Sequence, residues 1–253
     1  MTLTVTHVSA AYRKRQVLQD VSFAAPAGAL TALTGRNGAG KSTLLQCILN
    51  QKTDYLGEIS LDGQSLRELS SAQRAATVAC LPQTLPRPHV TVEELVRFGR
   101  TPYIPALGRP TEADRAAADR AIRAVGMEEF RNAFVDTLSG GERKKAFFAM
   151  TLAQDTPLVL LDEPAAHLDT VSRFELLEQI HGLCRETGKT FLVVMHELPE
   201  VLRYADRVVA LGDGRVMFDG TPQQCLDQEI PQTCFGIRLT GNRETGYAAI
   251  PIK

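Results

Sequence analysis

Apolar positions along this chain fall into short runs, and the character of the chain changes twice. Leu3, Val5 and His7 alternate with Thr4, Thr6 and Val8, a period of two that predicts a strand over 3–8. Tyr12 follows in a polar turn with Arg13, Lys14 and Arg15, and a second short strand is predicted over 21–25, closed by Pro26-Ala27-Gly28. The mainly apolar run 29–33 reads as a buried strand, and 42–49 carries a helical pattern. A strand over 57–61 closes on Asp62-Gly63, a hairpin dipeptide. A short helix over 70–75 and a strand over 77–81 lead to Pro82-Gln83.

From Thr84 to about Thr156 the pattern offers helices and loops but no convincing strand. Thr91 and Glu94 are spaced as a capping box ahead of Leu95, Val96 and Phe98. Residues 112–125 form an alanine-rich helical pattern with Asp119 and Arg123 spaced as an i,i+4 pair. Strands return at 158–161, 190–195, 207–211 and 215–218, with a helix over 170–186 and an Asp213-Gly214 hairpin. Thr221-Pro222 opens what reads as the final helix, and the tail from Ile230 has a mixed pattern that predicts no element. The expected architecture is an α/β core with an inserted helical subdomain at about 84–156.

Composition narrows the setting. A chain of 253 residues holds one large or two small domains and buries a core without disulfide staples. Lys and Arg number 28 against 29 Asp and Glu, so net charge gives no argument for nucleic acid as the main partner. The five cysteines form no C-x-x-C pair, which predicts reduced, mostly buried thiols in a cytosolic protein. No apolar run approaches the ~18–20 residues needed to cross a bilayer, and Met1-Thr2-Leu3-Thr4 does not open a signal peptide. Any work at a membrane then goes through a partner.

The candidate chemistry centres on residues 35–43: Gly35, Arg36, Asn37, Gly38, Ala39, Gly40, Lys41, Ser42, Thr43. They fit G-x-x-x-x-G-K-[ST] between a predicted strand and a predicted helix, the context a phosphate loop requires. The glycines bring backbone amides against a phosphate at the positive end of a helix dipole. Lys41 adds charge for the β- and γ-phosphates, and Ser42 a hydroxyl for Mg²⁺. The plainer reading is a glycine turn that only starts a helix. Asp162 and Glu163 end the buried run Leu158-Val159-Leu160-Leu161. Beside a phosphate loop they supply a carboxylate for Mg²⁺ and one that polarises an in-line water; an acidic loop is the alternative. In Leu138-Ser139-Gly140-Gly141-Glu142, Ser139 and Glu142 form a capping box, and two glycines bare the helix start. That makes either a second anion site or an ordinary helix start.

These three motifs, in this order and spacing, resemble the ATPase subunits of ATP-binding cassette (ABC) transporters over about residues 1–228. The resemblance implies a P-loop NTPase (RecA-like) core with an antiparallel β subdomain and the helical insert, leaving 229–253 as a C-terminal extension. By motif it implies that Tyr12 stacks on adenine, that Gln83 reaches Mg²⁺ or water, that His167-Leu168-Asp169 is the loop bearing Asp169, and that His196 is the γ-phosphate switch. Each has a plain counterpart: an edge aromatic, a solvated loop residue, a helix N-cap, a histidine at a strand end. In the family two copies pair head to tail, with the signature Ser139–Gly141 of one covering the nucleotide of the other. Lys144-Lys145 stands where the family commonly has Gln-Arg, and lysine lacks the bidentate fork.

The segment from Thr91 to Tyr103 resembles the corresponding stretch in importers of iron–siderophore complexes, haem and cobalamin. The implied protein is an ATP- and Mg²⁺-dependent importer ATPase. It would be peripheral on the cytoplasmic face of a bacterial inner membrane, docked as a dimer under transmembrane permease subunits and served by a substrate-binding protein. The competing readings are an ABC ATPase of another transporter class, or a non-transport, nucleotide-gated ABC protein.

Overall fold

The computed structural model describes residues 1–105 and 107–252. The chain divides into two compact units, Met1–Leu69 with Cys184–Lys253, and Ser70–Leu183. In the first unit β1 (Leu3–Tyr12) and β2 (Arg15–Ala25) pair antiparallel. Both are longer than the runs predicted for them, and Tyr12 is the last residue of a strand rather than part of a polar turn. Bulges explain the shortfall. The register shifts between Val5 and Val8 and again before Ala10, and His7 and Asp20 take φ of 51° and 56°. Each bulge interrupts the alternation that sequence patterning relies on. Hydroxyls hold them: Ser22 Oγ accepts from the His7 amide at 2.8 Å, and Ser9 Oγ from the Asp20 amide at 2.9 Å.

The next strand, β3 (Leu30–Gly35), is buried at every position, as expected of a parallel strand covered on both faces. It feeds α1 (Lys41–Ile48). β4 (Tyr55–Leu61) pairs with β1, and β5 (Gln64–Ser65) completes a sheet of order β2-β1-β4-β5. Asp62 and Gly63 turn between β4 and β5 at φ 48° and 82°, the two positive values a type I′ hairpin needs.

The second unit opens with α2 (Ser71–Thr77), capped by Ser70 and Gln73, then β6 (Val78–Leu81). α3 (Val92–Phe98), α4 (Glu112–Ala124) and α5 (Gly140–Ala153) form the helical insert. Among the described residues this stretch contains no strand, only a single bridge between Thr91 and Phe134. Its polar centre is Arg100, which donates to Asp114 at 3.1 Å and to the Ala153 carbonyl at 2.9 Å. Asp114 also accepts from the Thr111 amide that starts α4. The expected Asp119–Arg123 ion pair does not form. Arg123 Nε donates to the Asp119 carbonyl at 3.4 Å, and the Asp119 carboxylate takes Arg131 at 2.6 Å. Arg131 Nη1 also lies 3.6 Å from Glu93, so one guanidinium nitrogen stands between a carboxylate of α3 and one of α4, and two charges hold it where Arg123 would meet only one. β7 (Leu158–Asp162) runs parallel to β6, and α6 (Thr170–Thr187) follows.

The chain then returns to the first unit. β8 (Thr190–Val194), α7 (Leu198–Tyr204), β9 (Arg207–Gly212) and β10 (Arg215–Gly220) come in turn. β3 lies between β8 and β9 and is parallel to both; β10 pairs antiparallel with β9 through Asp213 and Gly214. α8 (Pro222–Asp227) is not the final helix. α9 (Ile230–Phe235) and a hairpin of β11 (Ile237–Asn242) and β12 (Gly246–Pro251) follow. The hairpin is mostly exposed, and its one short alternation, Ile237-Arg238-Leu239-Thr240, ends at Gly241 and is not repeated in β12. Arg243 at its turn donates to the Arg203 and Ala205 carbonyls at 2.9 and 3.0 Å, satisfying acceptors at the end of α7. The five cysteines are free thiols; Cys47, Cys184 and Cys225 are buried, and burial pushes their pKa up to about 11, 12 and 12.

Candidate functional site

Residues 35–43 form a loop between β3 and α1, in the first unit. Gly35 sits at φ 140° and Gly40 at φ 103°. A Cβ at Gly35 would stand 2.2 Å from the Leu211 carbonyl oxygen, and one at Gly40 would stand 2.6 Å from Leu18 Cδ2. Both positions therefore require glycine for space as well as for φ. With glycine at the N-cap, no side chain takes the first amides of α1, which leaves them to an anion. Lys41 is buried, and its Nζ donates to the Gly35 carbonyl at 2.7 Å and the Arg36 carbonyl at 3.1 Å. Thr43 is buried, while Ser42 is exposed. A cavity of about 520 Å³ adjoins the loop, with Arg15, Arg36, Asn37, Asp213 and Phe235 in its walls. The loop amides with the Lys41 ammonium fit a polyphosphate, and Arg15 and Arg36 add positive charge in the adjoining cavity.

Tyr12 is half-exposed, and its hydroxyl donates to Gln46 on α1 at 2.5 Å. Lys52 Nζ lies 4.3 Å from the ring centroid and also donates to the Ala11 carbonyl and Asp54. The ring is thereby tied to the helix that follows the phosphate loop. His196 belongs to the same unit and follows β8, partly buried.

The remaining candidates lie in the second unit. Ser139 caps α5 as predicted: the Ser139 amide donates to Glu142 at 2.8 Å, and the Glu142 amide donates to Ser139 Oγ at 3.3 Å. Gly140 is exposed in the first turn. Asp162 ends β7, and Glu163 follows at φ 50°. Gln83, 80 residues earlier, donates through Nε2 to Glu163 Oε2 at 2.7 Å. An amide anchored through its nitrogen still has its carbonyl oxygen as a hard donor. Ser42, Asp162 and Gln83 are oxygen donors of the kind Mg²⁺ accepts alongside phosphates. Asp169 caps α6. It accepts from the Ser172 hydroxyl at 2.7 Å and the Ser172 amide at 3.1 Å, and these bonds hold its carboxyl below the usual range.

One residue of this region was legible only as a departure from a motif. Lys144 is buried in α5, beside Ala146, Phe147, Phe148 and Ala149, all of them buried. Burial pushes its pKa down to about 8, against an opposing pull from Glu163. In the sequence it stands within the charged run Glu142-Arg143-Lys144-Lys145, so its burial is evident only in the fold.

A glycine loop between a parallel strand and a helix, with Lys41 folded into it, defines a P-loop nucleoside triphosphatase. The family model described as ABC transporter matches residues 18–166, more than half of the chain, and the chain belongs to that family. It is 37% identical over 238 residues to the petrobactin import ATP-binding protein of Bacillus anthracis, covering 94% of this chain and 88% of that one. It is 37% identical over 228 residues to the ferric enterobactin transport ATP-binding protein of Escherichia coli (strain K12), covering 90% and 84%. A solved structure described as a metal-chelate type ABC transporter in an inward-facing conformation matches with a TM-score of 0.84. The match covers 100% of this chain and 98% of that chain at 23% identity, a likeness of fold. This chain is accordingly an ATP-binding ATPase of the ABC transporter class.

Proposed function

We propose that this chain hydrolyses Mg-ATP to drive import of an iron–siderophore complex. Haem and corrinoid chelates are the related cargoes. Two copies work head to tail beneath membrane-spanning permease subunits, on the cytoplasmic face of a bacterial inner membrane, with a substrate-binding protein completing the system. Residues 1–228 act as the ATPase domain, with a helical subdomain at about 84–156, and 229–253 as an extension. The printed names of the two relatives support the cargo. Among the described residues no helix is long and apolar enough to cross a membrane, in keeping with a peripheral subunit. Phe98 and Tyr103 on the helical insert are 55% and 39% exposed, apolar surface suited to a permease helix.

The observation that carries the catalytic reading is the Gln83–Glu163 hydrogen bond. In this reading Tyr12 stacks on adenine. The loop amides from Arg36 to Thr43, with Lys41, bind the phosphates. Ser139, Gly140 and Gly141 of the second copy close over them, with Asp169 at the pair's interface. Glu163 accepts a proton from water as the water oxygen bonds to the γ-phosphorus and the bond to the β-bridging oxygen breaks. Gln83 orients that carboxylate, and His196 holds a γ-phosphate oxygen. Ser42, Asp162 and Gln83 would hold Mg²⁺, which neutralises phosphate charge when bound.

Affinity capture of the tagged protein from gently solubilised membranes tests the transport role. Recovery of a polytopic subunit together with a metal-chelate-binding protein is the expected result. Recovery only from the soluble fraction, with ribosomes or DNA factors, would leave the ATPase chemistry and remove the importer.

A further inference from the structure

The signature helix α5 touches the loop that carries Glu163, and Lys144 makes the contact. Its Nζ donates to the Glu163 carbonyl at 3.3 Å and, through a shorter bond, to the Ala166 carbonyl. Those carbonyls bracket one turn, which is closed by a bond from the Ala166 amide to the Glu163 carbonyl at 3.1 Å. Glu163 itself sits at φ 50°, a conformation unfavourable to a non-glycine residue that persists only when its surroundings hold it. The side chain of Glu163 leaves the same residue whose carbonyl Lys144 grips. A shift of the turn as a whole would carry Cα of Glu163, and with it the carboxylate, away from Gln83.

The choice of residue is informative. Lys144 is 9% exposed, at a depth where methionine or leucine would avoid the cost of desolvating an ammonium. In place of that economy the lysine supplies charge-assisted bonds to backbone carbonyls. The charged groups facing it are Glu163 and Arg173. Lys145, its neighbour, turns away to pair with Glu175 at 3.0 Å, so only one lysine of the pair reaches the loop.

We infer that Lys144 is a positioning residue for the general base: it clamps the 163–166 turn to α5 and so fixes the Glu163 carboxylate relative to the signature helix. The inference rests on the reading of Glu163 as that base.

The test measures steady-state ATP hydrolysis by the full chain carrying Lys144→Met, Lys144→Gln or Lys144→Arg. Lys144→Met should lower kcat by roughly 10–100-fold, the scale of a small misplacement of a catalytic group. KM for ATP and the affinity for a fluorescent ATP analogue should stay within about 2-fold. Lys144→Arg, which keeps charge and donors, should recover most of the rate. An unchanged kcat in Lys144→Met overturns the inference, and so does a fall in kcat matched by an equal loss of nucleotide affinity, the mark of general structural damage. Should the methionine variant fail to fold, Lys144→Gln, whose amide is too short to span both carbonyls, carries the same two criteria. Glu163→Gln is measured alongside. Normal turnover there removes the general-base reading itself, whereas an inactive Glu163→Gln with a fully active Lys144→Met removes only the role of Lys144.

Discussion

Replacing Glu163 by glutamine changes one atom of the carboxylate and removes its basicity. The structure allows the consequences to be separated. Glu163 is partly exposed, and its Oε2 accepts the Gln83 amide at 2.7 Å. A glutamine there keeps one carbonyl oxygen for that bond, so packing is preserved. The loss on the folding side is the difference between a charged and a neutral acceptor, under about 1 kcal/mol for an exposed pair. The loss on the chemical side is that of a positioned general base, about 10²–10⁴-fold in rate, or roughly 3–5 kcal/mol of barrier. Phosphate release under saturating Mg-ATP, together with binding of a fluorescent ATP analogue, reads both sides. The expected outcome is near-normal affinity, a melting temperature within a few degrees of the parent, and turnover reduced on that scale. Gln83→Ala should give a smaller fall, because it loosens the base without removing it. Turnover within a few-fold of the parent in Glu163→Gln would refute the assignment of the base. A collapse in affinity would refute the claim that this carboxylate acts only in the chemical step.

Four further outcomes are expected. Gly35→Ala should weaken ATP binding and lower thermal stability by about 1–3 kcal/mol, since its methyl would meet the Leu211 carbonyl at 2.2 Å; calorimetry in the presence and absence of nucleotide checks both. Asp114→Ala should cost about 1–3 kcal/mol in a urea titration, because it removes the carboxylate that pairs with the largely covered Arg100 guanidinium and that accepts the Thr111 amide at the start of α4. The pKa of Lys144 is lowered to about 8 from an ordinary 10.5, so between those values the unfolded chain binds more protons than the folded one, and stability rises with pH there. The stability difference between the parent and Lys144→Met should accordingly shift in favour of the parent from about pH 8 upward and stay flat below it, as read from denaturant midpoints. Phe98→Ser should leave the ATPase activity of the isolated protein unchanged while reducing the amount of permease recovered by affinity capture.

The features legible in the sequence are those closed within a few residues of themselves. The glycine loop between β3 and α1, the capping boxes at Thr91 and Ser139, and the Asp62-Gly63 and Asp213-Gly214 turns are all found where the local pattern put them. In each case a backbone angle or an i,i+3 hydrogen bond fixes the conformation, and the residues needed are adjacent in the chain. Tertiary structure decided the contests between distant partners. Asp119 had Arg123 one turn away and took Arg131 instead. The β1–β2 bulges depend on hydroxyls reached across the ladder, and the exposed hairpin after α9 is held by Arg243 at the end of α7. The bond between Gln83 and Glu163 and the grip of Lys144 on the same loop join residues 80 and 19 positions apart. A sequence states which groups can donate and accept. When several acceptors are chemically equivalent, only the folded backbone brings one of them to hydrogen-bonding distance, and that selection is what aligned the residues of this site.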